Sequence, residues 1–300
     1  MISEKVEYCA CRIRLHVHHV ASVSTERTLR LSRAKGGSGL AKRKSEIARM
    51  TWVEAKEASE QDPVVILPIG AMEAHGRQTP VGADWLVAQH VARAVVETTP
   101  ALIAPVIPFG YSDSFIGFAG SISVRPATLT ALIRDVLEQL IGQGFRRFLM
   151  LNSHAGNDSI IDQVGQELRR QYPSVLIGMM SPWQLAKDLT KDLFAGREAV
   201  MGHGAEPVAS IMCAVTPDDM RMDLALQDKY SSYHGLATRR GGVAGTAGQF
   251  KMIHALKEVS KSGTLGDGRV ANIETGSTIL KRIVDFVGAC VKDIQGMPIE

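Results

Sequence analysis

The stretch Val64-Val65-Ile66-Leu67-Pro68-Ile69-Gly70-Ala71-Met72-Glu73-Ala74-His75-Gly76 decides the fold class of this chain. Its first six residues are apolar without interruption, as a strand covered on both faces requires; a strand with one wet face would alternate. At Gly70 the run breaks into a segment bearing Glu73 and His75, and Asp84 follows where a helical pattern begins over 83–96. A buried strand, a polar loop and a helix in that order open a βαβ unit.

Outward from there the alternation repeats. Residues 101–107 read as a second apolar strand, followed by a Gly- and Ser-rich loop up to Pro126. Leu129, Leu132, Ile133, Val136, Leu137, Leu140 and Ile141 recur at helical spacing, with Gly142 or Gly144 suited to end that helix. A third strand, 147–151, runs directly into Asn152-Ser153-His154. Ile160, Ile161, Val164 and Leu168 mark another helix, and 175–179 a fourth strand. The order predicts an α/β fold with a mostly parallel sheet and helices on both faces. Ligands of such sheets bind beyond the carboxyl ends of the strands. The polar clusters at 73–84, 110–114 and 152–158 all fall there.

Composition narrows the classes. The chain of 300 residues is 45% hydrophobic and 22% charged, the balance of a soluble globular protein with a sizeable core. No apolar run approaches the ~20 residues of a membrane span, and the N-terminus lacks the apolar block of a secretory signal, so the expectation is a cytoplasmic protein. Cys9, Cys11, Cys213 and Cys290 are too dispersed for a disulfide framework and read as thiols. The net charge of +3 divides unevenly: residues 1–49 hold eleven Lys/Arg and four Asp/Glu, so they carry +7 and the remainder −4. The remainder shows no basic face for nucleic acid. The first 49 residues lack periodicity and read as a mostly disordered leader before a single domain over 50–300, a transit peptide being the lesser option. Within the leader, Cys9, Cys11, His16, His18 and His19 fit no standard zinc-module spacing.

Three clusters carry chemistry. Glu73 and His75 are separated by one residue, so in an extended segment both side chains point the same way. With Asp84 they form a ligand set suited to a divalent ion, although an isolated Glu-x-His also suits a solvated loop. His154 stands at a strand end among Asn152, Gly156 and Asn157. His203-Gly204-Ala205-Glu206 precedes an apolar segment, where Glu206 would serve either the site or a helix dipole.

The segment 68–84, with its Glu-x-His and an Asp eleven positions after the Glu, resembles the signature of the creatininase family. The resemblance continues through 105–109, Gly110-Tyr111-Ser112, residues 118–123, Gly144-Phe145-Arg146, residues 152–157, residues 203–210 and residues 263–267, and so covers 62 to about 290. It implies a three-layer α/β/α sandwich and a two-metal centre, Zn and/or Mn with Fe as a further option, that hydrolyses non-peptide C–N bonds through a metal-bridging hydroxide. Glu73 and His154 would hold one ion, His75 the other, and Asp84 would bridge. His203 would steady the tetrahedral intermediate or protonate the leaving nitrogen, and Ser112 would place a hydroxyl near the substrate. The resemblance further implies a homo-oligomer, a hexamer in the family's pattern.

Departures from the family shape the rest of the expectation. Gly156 stands where creatinine hydrolases carry a Glu, Val208 where another Glu is usual, and Gln78 and Phe115 where histidines are common. The second ion therefore lacks a ligand, and Glu206 is expected to supply it directly or through water. The expected substrate is a small cyclic amide, formamide or ureide. A deformylase or short-peptide amidase is the alternative, and a catalytically weakened small-molecule binding protein the reading from another class.

Overall fold

The structure is a computed structural model that describes residues 44–229, 238–239, 242–243 and 253–299. The expectations for residues 1–43, including the Cys/His cluster, lie outside the described residues.

Four parallel strands form the central sheet: β1 (Val64–Ile69), β2 (Ala101–Ile103), β3 (Arg147–Asn152) and β4 (Leu176–Met180), in the order β2-β1-β3-β4. β1 is the interior strand that its apolar run predicted, pairing with β3 from Val64–Arg147 to Ile69–Asn152. Alternate residues of β1 feed two cores. Val64 and Ile66 pack beneath α2 (Ala83–Thr98), α6 (Val208–Val215) and α8 (Ile273–Gly296), with α5 (Pro182–Leu189) in the same layer. Val65, Leu67 and Ile69 pack beneath α1 (Trp52–Ser59), α3 (Pro126–Gly142) and α4 (Asp158–Gln171). The result is the expected α/β/α sandwich; a short α7 (Leu256–Val259) lies outside these layers.

One boundary differs from the sequence reading. β2 stops at Ile103 because Pro105 has no N–H to offer a ladder. The chain rejoins only at Ile107, whose N–H reaches Pro68 O at 3.0 Å while its carbonyl accepts from Gly70 N. Described residues ahead of position 50 also pack against the sheet. Glu46 bridges to the outer edge of β2, Ile103 N donates to Ser45 O at 2.8 Å, and Arg93 pairs with Glu46 at 3.1 Å. Ile47 and Met50 pack on the core. A six-residue edge of this kind is too short to show any period of its own.

Candidate metal centre

The carboxyl ends of β1 and β3 deliver the first groups. After Ile69 the chain turns at Gly70, whose Cα lies so close to the backbone of Trp85 that any Cβ would collide with it. This approach sets the loop after β1 against the first turn of α2, where Asp84 is the second residue. The loop is closed by Glu73 N donating to Val81 O at 2.8 Å. Glu73 and His75 converge as their spacing predicted: His75 Nε2 lies 3.3 Å from Glu73 Oε1 and 3.4 Å from Asp84 Oδ1.

His154 arrives from the end of β3 and is fixed by an asparagine network. Asn152 accepts from His154 N and donates to His154 O, while Asn157 donates to Gly70 O and accepts from Tyr111 N. The ring presents Nδ1 to the carboxylates, 2.8 Å from Glu73 Oε2 and 3.2 Å from Asp84 Oδ2, and donates from Nε2 to Tyr111 O at 2.8 Å. An imidazole tied to a carbonyl through one nitrogen, with the other aimed at a ligand set, is the usual posture of a metal-bound histidine. Ser112 Oγ stands 3.3 Å from both Glu73 Oε2 and His154 Nε2.

Glu73, Asp84, His75 and His154 are all buried, and among the described residues no Lys or Arg pairs with either carboxylate. Burial and the neighbouring Asp84 charge push the Glu73 carboxyl up. Burial also acts on Asp84, but His75, His154 and the Trp183 N–H outweigh it and hold that carboxyl down. Burial disfavours a charged His154, yet the two carboxylates raise it well above the ordinary imidazole range. Burial and the adjacent His75 push His203 down to about 3. Two buried carboxylates whose ion-pair partners are all imidazoles are a donor set that fits a divalent cation. One donor atom from each of Glu73, Asp84 and His154 lies within 4.8 Å of the others, and the same holds for Glu73, His75 and His203. The groups open into a cleft of about 1140 Å³, which Ser112, Phe115 and Trp183 also line.

Those residues and the fold match a known family. The family model described as creatinine amidohydrolase matches residues 48–291. The chain belongs to the creatininase family. Creatinine amidohydrolase of Pseudomonas putida is 26% identical over 264 residues, covering 82% of this chain and 96% of the relative. Mycofactocin precursor peptide peptidase of Mycolicibacterium smegmatis is 26% identical over 231 residues, covering 74% and 82%. Among solved structures, a creatininase with Mn aligns with a TM-score of 0.68 at 25% identity, covering 83% of this chain and 98% of that one. A mutant creatininase of Zn–Zn type aligns with a TM-score of 0.69 at 26% identity, covering 83% and 97%. The chain is thus a creatininase-family hydrolase, and no helix among its described residues is long and apolar enough to cross a membrane.

In this creatininase-family fold Glu206 stands outside both donor groups, so the geometry gives the direct-ligand expectation no support. A three-residue spacing would put His203 and Glu206 on one face of a helix, but 201–206 is a closed turn and α6 starts only at Val208. Gly202 N donates to Glu206 O, and Met201 bridges to Glu206, which leaves His203 at the tip and Glu206 at the base. Gly204, at φ +64°, presses on the His75 backbone, where a Cβ would lie 2.5 Å from the His75 carbonyl carbon. Glu206 belongs to neither donor group and does not line the cleft; Ser210 Oγ donates to its Oε1 at 2.6 Å. Burial raises its carboxyl above the usual 4.5. A folded pKa above the unfolded one makes the carboxylate a destabilising charge as pH climbs from about 4.5. Glu206→Gln is therefore expected to leave metal content unchanged and to raise the melting temperature at pH 8 but not at pH 4. Loss of an ion from that variant would return Glu206 to the centre.

Trp183 belongs to none of the three clusters read in the sequence. Its Nε1–H donates to Asp84 Oδ1 at 2.8 Å across 99 positions of sequence. No local spacing signals such a pair.

Proposed function

We propose that this protein is a two-metal amidohydrolase acting on a small cyclic amide, formamide or ureide. The observation that carries the reading is the convergence of Glu73, Asp84 and His154 on one point at the wall of an open cleft. Glu73 and His154 would hold one divalent ion, His75 the other, and Asp84 would reach both, with Zn and/or Mn the matching metals. The Mn and Zn–Zn types of the solved relatives support that assignment. When bound, such ions polarise an amide carbonyl and bring water to a reactive state at neutral pH.

The chain's own residues supply the rest. Trp183 holds Asp84 in a single orientation through its N–H. Ser112 presents a hydroxyl beside Glu73 and His154, placed to bond the substrate oxygen as charge develops there. Phe115, edge-on to His154 at 6.1 Å between ring centroids, keeps water from that side. The matched peptide peptidase and a cleft larger than a single-ring substrate needs support a short-peptide amidase as the second reading. Screening the metal-loaded protein against lactams, hydantoins, formamides, ureides and short peptides tests both. Two bound ions with no hydrolysis of any class would leave a small-molecule binding protein.

We further place the enzyme in the cytoplasm as a homo-oligomer, a hexamer in the family's pattern. Phe109, Ile116 and Ile122 are exposed along the loop that carries Ser112, and apolar groups so placed support burial against another subunit. Sedimentation at micromolar concentration is expected to show an assembly; a single species near 32.5 kDa would exclude it.

A further inference from the structure

We propose that His203 is a protein ligand of the second divalent ion, taking the place of the carboxylate that residue 156 lacks. The inference rests on the two-metal reading above and departs from the expectation that His203 steadies the tetrahedral intermediate or protonates the leaving nitrogen.

The argument starts with what cannot supply the ligand. In this backbone a Cβ at Gly156 would collide with both His154 Nε2 and Tyr111 O, so no side chain at 156 reaches the centre. Glu206 is engaged with Ser210 outside both donor groups. His75 and Asp84 alone would leave the ion short of the four ligands that a tight tetrahedral site uses.

His203 fills that gap by position and by restraint. One of its donor atoms falls within 4.8 Å of donors from Glu73 and His75. Its Nε2 lies 2.7 Å from Ala74 O, the carbonyl between those two residues. A carbonyl only accepts, so Nε2 carries the proton and Nδ1 keeps the free lone pair. The ring is held on both faces, stacked on His75 at 4.4 Å and 25° and on Phe115 at 4.8 Å and 30°. Phe115 clamps His203 against His75. A ring fixed on both faces, with its proton given to the backbone, matches the second-sphere restraint of a ligand. A proton donor to a leaving nitrogen needs a proton facing the substrate, and Nε2 has none to spare.

Metal content and spectroscopy on the full chain decide the matter without reference to turnover. Loaded with Zn²⁺, the wild type should hold two ions. His203→Phe, which keeps a flat ring in the stack but no nitrogen, should weaken the second ion at least about tenfold. His203→Glu, which returns a ligand, should restore two ions. X-ray absorption of the wild type should count three imidazoles per pair of ions, from His75, His154 and His203, a measurement that needs no variant to fold. Two imidazoles, or a His203→Phe protein holding two ions at unchanged affinity, would overturn the ligand role. A wild type holding fewer than two ions would instead overturn the two-metal reading beneath it.

Discussion

Asp84→Ala is expected to remove both ions at once and to lower turnover by about a thousandfold or more. Asp84 faces His75 through Oδ1 at 3.4 Å and His154 through Oδ2 at 3.2 Å, so its two oxygens look toward the two donor groups. Each ion would lose the carboxylate that faces its imidazole, which leaves Glu73 as the one acid in these groups among the described residues. Several kcal/mol of carbonyl polarisation and water activation go with the metals, and each 1.4 kcal/mol is about tenfold in rate. The metal-free fold should tolerate the change. Without cations Glu73 and Asp84 are two buried like charges, and removing one relieves the repulsion that raises Glu73. The discriminating measurement is therefore a pair of melting curves with elemental analysis. The wild type should gain thermal stability on metal addition by mass action, and the variant should gain little. Two ions retained per chain in Asp84→Ala would sink the bridging role.

The second large effect lies at the opposite end of the sheet. Arg147 begins β3, is buried, and donates from Nε to Asp62 Oδ2 at 2.8 Å and from Nη1 to the carbonyls of Ile294 and Met297, both at 2.7 Å. Those carbonyls close α8, where a cation complements the negative end of the helix. Gln295 completes the clasp, accepting from Val64 N and donating to Asp62 O. Arg147→Met keeps an apolar stem but leaves the Met297 carbonyl without its donor, costing about 1–3 kcal/mol, while the Ile294 carbonyl keeps the Met297 N–H. The half-exposed Asp62 carboxylate can return to water and adds little. A loss of about 1–3 kcal/mol in chemical denaturation is expected, with metal content unchanged in the folded fraction. A loss below about 1 kcal/mol would show that the α8 terminus is held by packing alone.

Sequence alone determined what is local or periodic in this protein. The unbroken apolar run of 64–69 required a strand buried on both faces, and the i, i+3, i+4 spacing from Leu129 to Ile141 required α3. The repeated strand–helix order required parallel pairing, since a crossover helix returns each strand in the same direction. The one-residue gap between Glu73 and His75 was enough to turn both toward one point, because an extended backbone alternates its side chains. The placement of 73–84 and 152–158 at strand ends located the site before any coordinates.

Tertiary structure decided what depends on backbones meeting across the chain. The same three-residue spacing would join His203 and Glu206 on a helix but separates them on a closed turn. Which occurs is set by Gly204 fitting against His75, 129 positions away from it. Trp183 reaches Asp84 only because α5 and α2 share a layer over the sheet. The barrier to a side chain at Gly156 comes from His154 nearby and also from Tyr111 O, 45 positions earlier in the chain. Periodicity records which face of an element is apolar; it holds no record of which polar group waits on the other side of the contact.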